Sequence, residues 1–298
     1  MLLFPLNLCY MRKISLLLVM AIAMFGCGRF GNKNEEQKTA NRIVCISKQY
    51  SEIIFGLGAQ KDIVAVDLSS TYPDAVKKLP TVGYHRALTI EGILAQKPTL
   101  ILQDNNIGPE HVIGQINELK IPMKAFNSKA DDISSTKDLI REIGAYFRKT
   151  GPADSLCQLL DRQMEEALSN AKKYRDTPTV LIVHFGQASN TYLVMTRKNI
   201  AAKMVAWAGG RINIEGEKGM MPLSAETIAQ SNPDVILLTD FGYDRLETNK
   251  KIRELPGIAN TSAARNNRIF RIEEHDLVYL GPRTGANTLL IQKLIHNY

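Results

Sequence analysis

The chain repeats itself. Leu88-Thr89-Ile90-Glu91-Gly92-Ile93 is followed by Pro98-Thr99-Leu100-Ile101-Leu102, and 135 residues later stands Leu223-Ser224-Ala225-Glu226-Thr227-Ile228, then Pro233-Asp234-Val235-Ile236-Leu237. The alignment needs no gap. Each copy reads as a hydroxyl N-cap, a short helix, a proline-marked turn and a buried strand. A unit that occurs twice in one chain predicts two similar lobes.

Around the repeat, short β-rich runs alternate with helical patterns. Strands are expected at Ile43–Ile46, Ile63–Val66, Leu100–Leu102, Met123–Phe126, Val180–Val183, Val235–Leu238 and Ile269–Ile272, with helices between them such as Ser51–Leu57, Ile90–Gln96 and Ala201–Trp207. Alternation of this kind implies parallel sheets covered by helices, an α/β fold. One segment breaks the rhythm. After Gly151-Pro152, residues 154–174 run without Gly or Pro, and Leu156, Leu159, Leu160, Met164, Ala167, Leu168 and Ala171 recur at helical spacing. A helix of about 20 residues is roughly 30 Å long, enough to join two lobes. The expected organisation is an N-terminal α/β lobe over 42–150, a connecting helix over 151–176 and a C-terminal α/β lobe over 177–298.

The N-terminus reads as a leader. Met11-Arg12-Lys13 precedes the apolar run Ile14 to Phe25, then Gly26-Cys27. A basic start, a short apolar core and a small residue at the exit make a secretory signal over residues 1–26. The apolar run is too short for a permanent span. Both Met1 and Met11 fit as the start. Residues 28–41 are polar and form a tether with Cys27 at its head.

Hydrophobic residues at 45% and charged residues at 22% fit a soluble globular body. The net charge of +7 is spread without any Lys/Arg run longer than two, which argues for a solvated basic surface and against a nucleic-acid partner. Cys9 and Cys27 fall in the leader, and Cys45 and Cys157 sit among apolar residues, where buried free thiols are expected. No zinc spacing occurs among the cysteines and histidines.

Met24-Phe25-Gly26-Cys27 resembles a bacterial lipobox, which implies acylation of Cys27 and a lipid-anchored, extracytoplasmic protein. From Arg42 onward the chain resembles the class III substrate-binding proteins of ABC importers, whose ligands are cobalamin, ferric siderophores and haem. Within that family its haemin-binding branch is the nearest match. The carrying residues are Ser69-Ser70-Thr71-Tyr72-Pro73, Leu79-Pro80-Thr81-Val82-Gly83-Tyr84, Arg86-Ala87-Leu88, Ala208-Gly209-Gly210 and Leu280-Gly281-Pro282-Arg283. The resemblance implies the class III periplasmic binding protein fold, with two lobes, one rigid connecting helix and an interlobe ligand cleft. It also implies a monomer that performs no chemistry.

The resemblance places the iron ligand of ferric haem at Tyr84, an anionic oxygen donor suited to Fe(III). Arg86, two residues on, falls on the same side as Tyr84 in an extended strand and favours the phenolate; His85 then points the other way. His184 follows the apolar run Val180–Val183, at the carboxyl end of a strand, where open α/β sheets place their sites. It is a candidate second ligand, on one haem or on a second one. Lys48 and Arg283 are candidate partners for propionates, and the pair Met220-Met221, Met221 foremost, is a candidate for an apolar wall. Trp207 reads as core, and His275 as a solvated loop histidine. The resemblance further assigns Glu91 and Glu226, one per lobe, to docking on the permease. A carboxylate at a helix N-terminus also stabilises the helix dipole by roughly 0.3–1 kcal/mol, so either role accounts for them. A ferric siderophore or cobalamin on the same fold remains the alternative. A secreted two-domain enzyme is disfavoured by the lack of any P-loop, Gly-x-Ser-x-Gly, His-Glu-x-x-His or dinucleotide fingerprint.

Overall fold

A computed structural model describes residues 41–186 and 189–296. The leader, Cys27 and nearly all of the tether lie outside the described residues.

The first lobe begins with β1 (Ile43–Ile46), α1 (Lys48–Gly56) and β2 (Ile63–Val66). A small hairpin of β3 (Gly83–Tyr84) and β4 (Ala87–Leu88) follows, then α2 (Ile90–Leu94), β5 (Leu100–Gln103), α3 (Glu110–Glu118), β6 (Met123–Lys124) and α4 (Ile133–Tyr146). Strand order is β2-β1-β5-β6, with every pairing parallel. All four residues of β1 are buried, as a strand covered on both faces requires. Its alternate side chains enter opposite cores. Ile43 and Cys45 pack with Ile53 and Ile54 of α1, while Val44 and Ile46 pack with Val82, Leu88 and Ile93.

The long helix α5 runs Thr150–Ala171, starting one residue before the expected 151–176 and ending five residues short of it. Gly151 and Pro152 lie in its first turn, where backbone N–H groups have no intrahelical acceptor and a missing donor costs nothing. Ala153, Cys157, Leu160, Met164 and Ala167 form its buried stripe. Leu159 and Leu168, which share the helical spacing, are instead exposed.

The second lobe comprises β7 (Val180–Gly186), β8 (Thr191–Met195), α6 (Ile200–Trp207), β9 (Met220–Pro222), α7 (Ala225–Ser231), β10 (Val235–Thr239), α8 (Asp240–Leu246), α9 (Asn249–Arg253), α10 (Ser262–Arg265), β11 (Ile269–Ile272) and α11 (Thr284–His296). Its sheet has the order β11-β10-β7-β8-β9. Here the expectation of parallel sheets needs correction. β7, β10 and β11 are parallel, but β8 pairs antiparallel with both β7 and β9. The cause is the short link from Gly186 to Thr191, which can only join antiparallel strands.

The repeat is visible in the fold. Thr89 and Ser224 cap α2 and α7, each accepting a backbone N–H at 3.2 Å. β5 and β10 start at Leu100 and Val235, the positions related by the repeat. The core order β2-β1-β5-β6 matches β8-β7-β10-β11. Trp207 packs against the cores of both lobes, and Cys45 and Cys157 are buried free thiols. Among the described residues no helix is long and apolar enough to cross a membrane.

Candidate functional site

The carboxyl ends of both sets of parallel strands open onto one cavity of about 620 Å³, the place where open α/β sheets gather their ligands. From the first lobe come Ser47 and Lys48 after β1, Leu68 and Ser69 after β2, the hairpin residues Tyr84, His85 and Arg86, and Asp104 and Asn106 after β5. From the second come His184 on β7, Leu193 on β8, Met220 on β9, Phe241 after β10 and Glu274 after β11, with Lys218 at the rim.

Tyr84 stands at the end of β3, and Gly83 before it has φ +98°, a conformation that glycine adopts without strain. The chain turns at once. Tyr84 pairs with Ala87, so His85 and Arg86 are the two turn residues. The strand alternation expected for Tyr84, His85 and Arg86 therefore does not apply, because the strand ends too soon. All three line the cavity. The rings of Tyr84 and His85 lie 4.3 Å apart between centres. Arg86 donates from Nε and Nη2 to Asn106 Oδ1 at 3.1 and 2.7 Å. Burial pushes the Tyr84 hydroxyl above its ordinary pKa; Arg86 opposes the shift, and Glu274 and Asp67 add to it. The free site thus holds a phenol, and a phenolate forms only when a stronger cation arrives.

His85 is anchored from below. Its Nδ1 lies 3.4 Å from Oδ2 of Asp67 and 3.3 Å from the Ser69 hydroxyl. Asp67 is fully buried. Burial works against its charge, but His85, Ser69 and Ser70 outweigh that and hold its carboxyl below the ordinary range.

His184 enters from the opposite lobe. Nδ1 lies 3.1 Å from the Thr239 hydroxyl on the neighbouring strand. Desolvation lowers its pKa, Glu274 acts in the other direction, and Lys48 adds to the lowering. The imidazole is neutral at pH 7. With the proton on Nδ1 toward Thr239, the lone pair of Nε2 is available to a metal.

Lys48 lines the cavity with its ammonium 2.7 Å from Glu274, an ion pair that crosses between lobes. Two other expected lining residues are placed elsewhere. Arg283 is committed to Glu52 at 3.2 Å and Asp276 at 2.7 Å, behind the cavity. Met221 faces Val194 across the ladder and packs on the second-lobe core. Of the expected pair only Met220, which also packs on that core, reaches the cavity side, because successive strand residues point to opposite faces. His275 is not solvated but buried, with Nε2 2.8 Å from Glu52. Glu91 and Glu226 are exposed, each at the second position of its capped helix, away from the cavity lining.

Sequence reasoning missed Leu68, Asn106, Lys218, Phe241 and Glu274. Leu68, Phe241 and Glu274 each stand two residues past the ends of β2, β10 and β11 and were findable by asking which residues lie just beyond each strand. Lys218 and Asn106 carry no such local signal.

The sequence profile of the periplasmic binding protein family matches residues 43–275. Among solved structures, the periplasmic heme-binding protein RhuT from Roseiflexus sp. RS-1, in its apo form, superposes with a TM-score of 0.76 at 30% identity, over 86% of this chain and 100% of that one. The periplasmic heme-binding protein BhuT, in complex with two hemes, superposes with a TM-score of 0.75 at 28% identity, over 85% of this chain and 97% of its own. The vitamin B12-binding protein of Pectobacterium atrosepticum is 24% identical over 200 residues, covering 66% of this chain and 71% of that protein.

Proposed function

The chain belongs to the periplasmic binding protein family, and from that premise we propose that it captures ferric haem in the interlobe cavity and delivers it to an ABC importer. The observation that carries the reading is the meeting of Tyr84 and His184, from opposite lobes, in one cavity whose walls include Leu68, Leu193, Met220 and Phe241. Ferric iron takes axial tyrosinate or imidazole. The apolar side chains suit the porphyrin faces. Three cations (Lys48, Arg86 and Lys218) stand against two carboxylates (Asp104 and Glu274) in the lining. That excess of positive charge suits haem, whose two propionates make the ferric form anionic overall. Both relatives named as heme-binding share at least 28% identity with the chain.

In this reading Tyr84 supplies the oxygen donor, Arg86 stabilises its anionic form, and His184 is the donor from the other lobe. Lys48 is available to a propionate only by sharing with Glu274. Delivery uses Glu91 and Glu226, exposed at matching places in the two lobes, where a transporter with twofold symmetry can engage both. The protein acts as a monomer, held to the membrane through acylated Cys27 after removal of residues 1–26. Its work is capture and release, without catalysis.

The likeness to a vitamin B12-binding protein supports a second reading, cobalamin. Corrin side chains end in amides rather than carboxylates, so cobalamin makes less use of the cavity's cations. The deciding experiment is an absorption titration of the purified protein with ferric haemin, repeated on Tyr84→Ala. A saturable Soret shift with a charge-transfer band, lost or altered in the variant, is the expected result. A wild-type protein that gives no specific shift refutes haem as cargo and turns the question to cobalamin and ferric siderophores.

A further inference from the structure

Behind the cavity lies a buried polar cluster whose residues are not among the cavity lining. At its centre is Glu52, 4% exposed, one turn after Lys48 on α1. Three residues of the other lobe converge on it. His275 Nε2 lies 2.8 Å from Oε2, and the Tyr279 hydroxyl donates to the same oxygen at 2.7 Å. Arg283 donates from Nε to Oε1 and from Nη2 to Oε2, both at 3.2 Å. Arg283 also pairs with Asp276 at 2.7 Å, and its guanidinium carbon sits 3.5 Å from the centre of the first-lobe Tyr72 ring. Gln49, on the same helix as Glu52, donates to the Leu280 carbonyl. Burial disfavours the Glu52 charge, yet His275, Arg283 and Tyr279 together hold its pKa below the ordinary value.

We propose that Glu52 is a positioning residue for cargo binding: it touches no ligand, but clamps together the two segments that form the rear wall of the cavity. Both segments carry lining residues. Ser47 and Lys48 precede Glu52 on one side, and Glu274 and Val278 immediately precede His275 and Tyr279 on the other. The Lys48–Glu274 pair is the cavity-facing continuation of the same interlobe contact. A change in the angle between lobes that separates Glu52 from these donors leaves a buried carboxylate without partners, and the cost of an unpaired buried charge opposes that motion. The cluster thereby holds Tyr84 and His184 at one separation. The inference rests on the cavity being the cargo site.

The test uses the full chain with Cys9 and Cys27 replaced by Ser, since Cys45 and Cys157 are buried. Spin labels go on Glu118→Cys and Lys250→Cys, both exposed and on different lobes. Electron–electron resonance distances are measured without ligand, and ferric haemin affinity is measured alongside, for wild type, Glu52→Gln and Tyr279→Phe. The expected result is a broadened interlobe distance distribution and about tenfold weaker haemin affinity in Glu52→Gln, as when one molecule in ten is binding-competent. Tyr279→Phe, which loses a single donor, lies between and decides the matter if Glu52→Gln does not fold. Folded variants with the wild-type distribution and affinity overturn the proposal. A wild type that takes no haemin refutes haem as cargo, while the ligand-free distances still report on Glu52.

Discussion

If Tyr84 takes the iron of haem, capture must release a proton, and the structure sets the pH range in which that proton alone is seen. Burial holds the Tyr84 pKa above its ordinary value of 10.0, so the unliganded side chain is a phenol across the whole neutral range. Iron coordinated by Tyr84 would take the phenolate. Binding is therefore favoured by raising the pH, and each unit below the phenol pKa is worth about 1.36 kcal/mol, a factor of ten in affinity. His184, lowered from 6.5 by burial, is already neutral from pH 7 upward and adds no proton there. Between pH 7 and 9 the logarithm of haemin Kd should fall by about one per unit in wild type, roughly a hundredfold in all. Tyr84→Phe keeps the ring that packs against His85 but removes the ionising oxygen, and its slope should vanish. The assay is a haemin titration at fixed ionic strength, corrected for the ionisation of haemin itself by the Tyr84→Phe series. Equal slopes in wild type and Tyr84→Phe refute phenolate coordination, however tightly either protein binds.

Thr239→Val removes the oxygen 3.1 Å from His184 Nδ1 while keeping the shape of a buried side chain. Loss of an orienting partner of this kind typically weakens metal affinity by about 10–100-fold, and an unchanged haemin affinity and spectrum would show that His184 is not held through Nδ1. Gly83→Ala places a Cβ at φ +98°, which should cost about 1–2 kcal/mol in urea unfolding and disturb Tyr84 next to it; undiminished stability would refute that conformation. Asp67 has a folded pKa below its ordinary 3.8, so it contributes stability above that value which is lost as pH falls through the folded one. Asp67→Asn should therefore cost about 1.5–3 kcal/mol at pH 7 and progressively less in acid, and a deficit independent of pH would contradict the assignment of charge.

The architecture was legible where information is local. Continuous apolar runs at Ile43–Ile46 and Val235–Leu238 are strands because both faces are covered, and Thr89 and Ser224 are caps because a hydroxyl satisfies a helix's free N–H groups. The repeat, found from residue identities alone, became two sheets of matching order. Tyr84 and Arg86 came instead from the family resemblance carried by Val82-Gly83-Tyr84-x-Arg86; both line the cavity, but the tight hairpin that presents them was not foreseen, since an extended strand was expected there.

Tertiary structure decided what depends on distant partners. Lys48 and Arg283 look alike in sequence, each a cation beside a strand or turn. Only the fold puts Lys48 in the cavity opposite Glu274, and ties Arg283 to Glu52, 231 residues away in the chain. His275 has a polar local context and is nevertheless buried, for the same reason. Whether Met220 or Met221 lines the cavity turns on a one-residue strand register that local sequence does not fix. Hydrophobic periodicity and capping act over a few residues and are written into the chain. Ion pairing and register are chosen between segments far apart in the chain, the Met220–Met221 register within the second lobe and the Lys48 and Arg283 pairs between the two lobes.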